Sequence, residues 1–301
     1  MKFFGTAFLF GLAILSCTQV EGKPALESPT QKPLLIGLIP EQNIFKQVER
    51  YEPLADFLAG KMGVEIKLKP LARYGNIIEN FVSLALDGAF LGSFTCALAQ
   101  RKLGVQVLAR PEALDGSSTY HGLIFVRKDS RIKSIKGMKR KRFVFVDKAT
   151  TAGYLLPLAY FKKQGIKDYK AYFKEVYFSG THEDAILDVL NKKADIGAAK
   201  NTVFERLAQS DPRIRRDLEI LEKSPDVPEN SLALRKNLDP YLKKAMQEIL
   251  LNMHKDPNGQ TVLKNFGARR FILTIYKDYD PVFKYAREID LDLAHYDYVN
   301  E

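Results

Sequence analysis

From residue 34 to about 209 the chain alternates short apolar runs with amphipathic stretches, and this alternation most limits what it can become. Leu34-Leu35-Ile36-Gly37-Leu38-Ile39 has the continuous apolarity of a buried parallel strand. Glu49 to Ala59 follows with Tyr51, Leu54, Ala55 and Leu58 on one helical face. Val64 to Leu68 alternates as a half-buried strand, Ile77 to Leu86 is helical, and Ala89-Phe90-Leu91 and Val105 to Leu108 are strands. Strands alternating with helices predict an α/β fold with a largely parallel sheet.

The pattern then starts again. Gly122–Val126, Phe143–Val146, Ala171–Phe178 and Ile196–Ala198 are strand candidates, with helices near 154–164, 183–192 and 202–209. Asp87-Gly88-Ala89-Phe90-Leu91-Gly92 and Asp195-Ile196-Gly197-Ala198-Ala199-Lys200 each sit between two helices, so two similar lobes or two generic βα units both fit. Ser224 to Asn230 reads as a connector, Pro240 to Met253 as a helix, and the Tyr-rich tail beyond 270 shows no regular period.

The N-terminus is of a different kind. Lys2 precedes an apolar run from Phe3 to Ser16, shorter than the roughly 20 residues that span a bilayer. Residues 1–16 therefore predict a secretory signal peptide. The run ends in Ile14-Leu15-Ser16-Cys17, which resembles a bacterial lipobox and implies lipid on Cys17; an ordinary signal peptide with an incidental cysteine is the alternative. Thr18 at the next position resembles outer-membrane sorting, and either membrane could hold the anchor. Residues 17–32, with Pro24, Ser28, Pro29 and Thr30, predict a flexible tether. Cys96, the second of two cysteines, lies in an apolar stretch and reads as core.

Charge comes next: 46 Lys and Arg against 36 Asp and Glu leave +10, and removing Lys2 with the signal leaves +9. The basic run Lys139-Arg140-Lys141-Arg142 is short and follows an export signal, which predicts a solvated face and no nucleic-acid partner. Four histidines without metal-ligand spacing predict no metal centre and no cofactor. Gly-x-Ser-x-Gly, Walker and Rossmann patterns are absent, and Ser130-x-x-Lys133 lacks its partner motifs, so no catalytic residues are predicted.

In open α/β sheets, ligands sit beyond the carboxyl ends of strands, where helices begin. Phe143–Val146 runs into Asp147-Lys148-Ala149-Thr150-Thr151-Ala152-Gly153, whose small and hydroxyl residues suit an anion at a helix N-terminus. Thr150 or Thr151 could equally cap the helix. Ser179-Gly180-Thr181-His182 lies at a second such turn, where His182 is either an anion donor or an ordinary surface or core side chain. Gly92-Ser93-Phe94-Thr95 and Lys200-Asn201-Thr202 could supply further donors.

Read together, these turns resemble the phosphate/phosphite/phosphonate-binding proteins of bacterial ABC importers, from about residue 34 to 293. The resemblance is carried by Arg50 to Asp56, Ala89 to Gly92, Val126 to Ser130, Phe143 to Tyr154, Phe178 to His182 and Asp278 to Val282. It implies a type II periplasmic binding protein: two α/β lobes, two crossings and a ligand between them. Lobe one would hold residues 33–119 and 230–301, and lobe two residues 120–229. Carried over by motif position, Tyr51, Phe94 and Thr95 would line the cleft from lobe one. Thr150, Thr151, Gly153 and His182 would hold the anion, with Lys200 and Asn201 near the second crossing. Ala152 stands where many members have a third hydroxyl.

Members that hold the ammonium of aminoethylphosphonate use acidic residues near that crossing. Lys200-Asn201-Thr202 and Pro228-Glu229-Asn230 stand there instead, which implies a ligand without an amino group unless Glu229 turns inward. The implied protein is a monomeric lipoprotein of the cell envelope, on the periplasmic side, that hands its oxyanion to an inner-membrane permease. A sensory lipoprotein signalling to a membrane receptor is the alternative.

Overall fold

Most of the apolar runs become strands, and most are followed by a helix. β1 (Leu34–Leu38), α1 (Ile44–Met62), β2 (Ile66–Pro70), α2 (Ile77–Ser83), β3 (Gly88–Leu91), α3 (Ser93–Leu103) and β4 (Gln106–Ala113) come first. Short β5 (Thr119–Tyr120) leads to β6 (Gly122–Arg127), α4 (Ile135–Met138), β7 (Arg142–Phe145), α5 (Leu156–Lys163), α6 (Tyr169–Tyr172) and β8 (Glu175–Phe178). α7 (His182–Leu190), β9 (Ile196–Lys200), α8 (Asn201–Ser210), α9 (Arg213–Asp217) and β10 (Leu218–Lys223) complete that half. β11 (Val227–Pro228) returns the chain to β12 (Ser231–Leu234), α10 (Pro240–Asn252), α11 (Pro257–Phe266), β13 (Ala268–Leu273) and α12 (Asp280–Glu288). This computed structural model describes residues 1–2 and 32–300, so Cys17 and nearly all of the predicted signal and tether lie outside the described residues.

Two main sheets result, ordered β13-β4-β12-β3-β1-β2 and β10-β6-β9-β7-β8. The sequence repeat is a structural one: β12-β3-β1-β2 and β6-β9-β7-β8 have the same order and the same directions, with the first strand of each antiparallel. The paired aspartates do the same job in both halves. Asp87 Oδ2 accepts the Leu35 N–H at 2.9 Å, and Asp195 Oδ2 accepts the Arg142 N–H at 2.9 Å. Each carboxylate thus ties neighbouring parallel strands, β3 to β1 in one half and β9 to β7 in the other. The crossings β5 and β11 pair antiparallel with one another, Tyr120 opposite Val227.

The sheets are mixed rather than largely parallel. β12 and β6 arrive from the opposite half, so each enters its sheet against the direction of its neighbours. Strand 171–178 is shorter than expected, because Asp168 caps the α6 turn and β8 begins only at Glu175. The tail beyond 270 holds the end of β13 and all of α12. β13 hid from the alternation pattern because Arg269 and Arg270 reach Glu112 on neighbouring β4, at 3.4 and 2.9 Å. One apolar cluster runs through both halves, joining Leu91 and Phe94 to Val144, Val146 and Leu155, so the two halves are packed in contact.

Candidate functional site

On the first wall, the chain leaves β1 through Ile39-Pro40-Glu41. Gln47 of α1 holds that turn: its Oε1 accepts the Glu41 N–H at 3.0 Å and its amide donates to the Ile39 carbonyl. The Glu41 carbonyl accepts the first N–H groups of α7, from His182 at 3.1 Å and Glu183 at 3.4 Å. Asn43 N–H donates to Glu183 Oε2 at 2.7 Å, a further bond between the halves.

The second wall is the turn after β7. Asp147 Oδ1 accepts the Ala149 N–H at 2.8 Å, and Thr150 Oγ1 donates to the Asp147 carbonyl at 2.6 Å. The helix then opens with a π-helical turn, Thr151–Leu155, in which Leu155 N–H reaches the Thr150 carbonyl at 3.1 Å. Such wide turns recur at functional sites. Thr151 and Ala152 lie in its first turn, where N–H groups have no partner inside a helix. Gly153 is required for packing: a Cβ there would come within 2.4 Å of Val146. The C-terminal tail braces the same turn, Asn300 accepting from Lys148 N–H at 3.0 Å and donating to Asp147 Oδ2 at 2.8 Å. Burial raises the Asp147 carboxyl to about 6.

Between the walls lies a cavity of about 10 Å³ lined by Ile39, Glu41, Tyr74, Gly92, Thr95, Tyr120, Ala149, Thr150, Thr151, His182, Lys200 and Asn230. His182 Nδ1 accepts the Lys200 N–H at 3.2 Å, so its ring proton sits on Nε2 as a donor. Burial pushes this imidazole down to about 3, and it stays neutral. The Tyr74 ring stands edge-on to His182 with centroids 5.9 Å apart. Its hydroxyl is buried and, among the described residues, has no hydrogen-bond partner. Burial and the negative groups Glu41 and Asp147 keep that phenol protonated, as a donor.

Lys200 closes one side. Its ammonium donates to Glu41 Oε1 and Asn230 Oδ1, each at 3.0 Å, and to Glu229, and it lies 4.3 Å from the Tyr120 ring centroid. Burial alone would lower its pKa, but Glu229 and Glu41 hold it above the usual lysine range. Burial likewise works to raise Glu41, and the charges of Lys200 and Arg206 overcome it, so the carboxylate stays ionised.

Of the residues expected from sequence, Thr95, Thr150, Thr151, His182 and Lys200 come together on the cavity. Phe94 turns its ring away to Tyr296, 5.6 Å between centroids, and contributes its N–H, which donates to Thr151 Oγ1 at 2.8 Å. Tyr51 is displaced from its expected place in the cleft lining: its ring packs in the core against Phe90 and Phe266 at 4.9 and 5.0 Å. Asn201 is engaged with the backbone of His121 instead of the cavity. Gly153 serves the fold of the turn, as above. Glu41, Tyr74, Tyr120 and Asn230 were not expected as site residues. Glu41 had one available signal, its place just past the carboxyl end of the first strand.

The chain is 29% identical over 253 residues to the phosphonates-binding periplasmic protein of Escherichia coli K12, covering 82% of this chain and 74% of that one. It is 25% identical over 284 residues to the probable ABC transporter phosphite binding protein PhnD1 of Prochlorococcus marinus, covering 90% and 94%. The structure of that PhnD1 in complex with methylphosphonate superposes with a TM-score of 0.76, covering 86% of this chain and 98% of that one. The binding component of an ABC phosphonate transporter from Pseudomonas aeruginosa superposes at 0.79, with 25% identity and 85% and 86% coverage. Such two-lobed neighbours make the fold that of a type II periplasmic binding protein. The model of the family described as ABC transporter, phosphonate, periplasmic substrate-binding protein matches residues 36–279, and the chain belongs to that family.

Proposed function

We propose that this protein captures a compact tetrahedral oxyanion without an amino group and passes it unchanged to the permease of an ABC importer. Phosphite, phosphate and methylphosphonate are the ligands of this kind. The observation that carries this is the buried Tyr74 hydroxyl, a donor without a partner among the described residues, facing the same cavity as neutral His182 and the Thr150-Thr151 turn. Buried polar groups are ordinarily hydrogen-bonded, and an oxyanion oxygen supplies the acceptor that this wall lacks. Neutral donors and a helix start bind an anion without a buried counter-charge having to be desolvated. Relatives described as binding phosphite or phosphonates support the same class.

In this proposal residues 33–119 with 230–301 and residues 120–229 are the two lobes, and the paired crossings β5 and β11 are the hinge about which they close. The mature chain is a monomer in the periplasm, held to one of the membranes by lipid on Cys17. A thermal-shift panel tests the ligand: the melting temperature should rise with phosphite, phosphate or methylphosphonate, because a ligand bound only by the folded state stabilises it. No response to any phosphorus oxyanion would sink the proposal. Cys17→Ser, expressed with its signal, should move the protein from the detergent phase to the aqueous phase. Unchanged partitioning would refute the anchor.

A further inference from the structure

Among the described residues, none after Glu288 lies in a helix or strand, and a chain end without regular structure frays unless its side chains tie it down. Here they do. Leu293 and Tyr298 are buried in the apolar cluster that runs through both halves. Lys102 of α3 donates to the Ala294 carbonyl at 3.0 Å, and its ammonium stands 5.5 Å from the Tyr298 ring centroid. The Tyr298 hydroxyl donates to Glu79 of α2 at 3.5 Å. Gly75 leaves room for the tail: a Cβ there would come within 2.6 Å of the Tyr298 carbonyl oxygen. Gly75, Glu79 and Lys102 all belong to the first half.

The same tail then reaches the second half. The Tyr296 ring packs on Phe94 of α3, with centroids 5.6 Å apart, while its hydroxyl donates to the Lys148 carbonyl at 2.8 Å. Asn300 accepts from the Lys148 N–H at 3.0 Å and donates to Asp147 Oδ2 at 2.8 Å. Both backbone polar groups of Lys148 thus end on the tail. Lys148 stands two residues before Thr150, in the turn whose threonines line the oxyanion cavity, and Gly75 follows Tyr74, the donor on the other wall.

We infer that residues 291–300 are a strap between the halves, anchored on the first and latched to the second by Tyr296 and Asn300, and that these two are positioning residues for the oxyanion-binding turn. This rests on the capture function and the closure proposed above. A strap fixed to one half can meet Asp147 and Lys148 only while the halves are closed. Its three latch bonds therefore stabilise the closed, ligand-holding state and add nothing to the open one. Linkage makes the effect reciprocal: bound ligand in turn holds the strap down.

Tyr296→Phe combined with Asn300→Ala removes the three latch bonds and keeps a ring on Phe94. Calorimetry should show methylphosphonate binding weakened by about tenfold or more. The melting temperature without ligand should stay where it is, because the open state never makes these bonds. Carboxypeptidase trimming followed by mass gives a readout that a merely structural tail would not move: saturating methylphosphonate should slow the loss of C-terminal residues in the wild type and not in the double variant. If the double variant does not fold, Tyr296→Phe alone should weaken binding by about threefold and lessen the protection. A folded variant with wild-type affinity overturns the inference, and so does one destabilised equally with and without ligand. Trimming of the wild type at the same rate with and without methylphosphonate also overturns it. A wild type that binds no phosphorus oxyanion overturns the capture function, and the strap's role with it.

Discussion

A histidine buried against a backbone N–H behaves unlike an exposed one, and His182 shows how. Burial lowers its pKa from 6.5 to about 3, so below pH 6.5 the unfolded chain takes up a proton that the folded chain refuses. Its contribution to stability is therefore complete above pH 6.5 and is lost as pH falls toward 3. Between pH 6.5 and 5 that loss is about 2 kcal/mol. Asp147 acts in the opposite sense, because its folded pKa of about 6 lies above the unfolded value of 3.8. The folded state keeps a proton there that the unfolded chain releases, so stability rises as pH falls from about 6. Urea titrations at pH 7 and pH 5 separate the two: His182→Gln should lose less stability on acidification than the wild type, and Asp147→Asn should lose more. Tyr74→Phe tests the proposed ligand contact. It should weaken methylphosphonate binding by about tenfold or more, as removal of a hydrogen bond to a charged group does. Without ligand its melting temperature should hold or rise, since a buried hydroxyl lacking a partner is removed. The turns that carry His182 and the two threonines were legible because they follow apolar runs, and the family resemblance singled these side chains out within them. Tyr74 and Tyr120 were not: a phenol in a loop or in a two-residue strand has no period, and only the fold brings it to the cavity.

At the scale of elements, the turn after β7 shows what pattern reading captures and where it stops. Its place between a strand and a helix was plain from Phe143–Val146 and the small residues that follow. Its π-helical winding was not, because it follows from Gly153 packing against Val146 and from bonds to a tail about 150 positions away. Gly153→Ala would put a Cβ 2.4 Å from Val146 and 2.8 Å from Thr150 Oγ1. Such overpacking should destabilise the protein by about 1–3 kcal/mol, read in urea, and should also weaken oxyanion binding by shifting the Thr151 donors. An unchanged unfolding midpoint would show that the turn can relax. The Asp87 and Asp195 repeat was visible as composition alone. Its physical meaning, a carboxylate tying neighbouring parallel strands in each half, needed the sheets. Strand β13 escaped notice for a related reason: its arginines are matched across space, to Glu112 on β4, rather than along the chain.

For the whole molecule, the relevant quantity is the closed state, and bonds at the seam between the start of α1 and the start of α7 help to hold it. Glu183 accepts from Asn43 across the halves at 2.7 Å, and the Glu41 carbonyl accepts from the start of α7. Glu183→Ala should therefore release ligand faster and weaken affinity by about tenfold while leaving the order of preference among oxyanions unchanged. A change in that order would mean that Glu183 shapes the site. Small-angle scattering should show a smaller radius of gyration with methylphosphonate than without it. The repeated pattern fitted two lobes or two generic βα units, and the family resemblance implied the two lobes; which loops face one another was not legible, because facing is a property of the crossings. The Asn43–Glu183 bond also has a practical use. Asn43 begins α1 beside Phe45, which is 80% exposed, and the chain contains no tryptophan. A single indole installed by Phe45→Trp would be the protein's sole such fluorophore, placed at the seam that closes, and its emission would make the molecule an optical meter for dissolved phosphorus oxyanions.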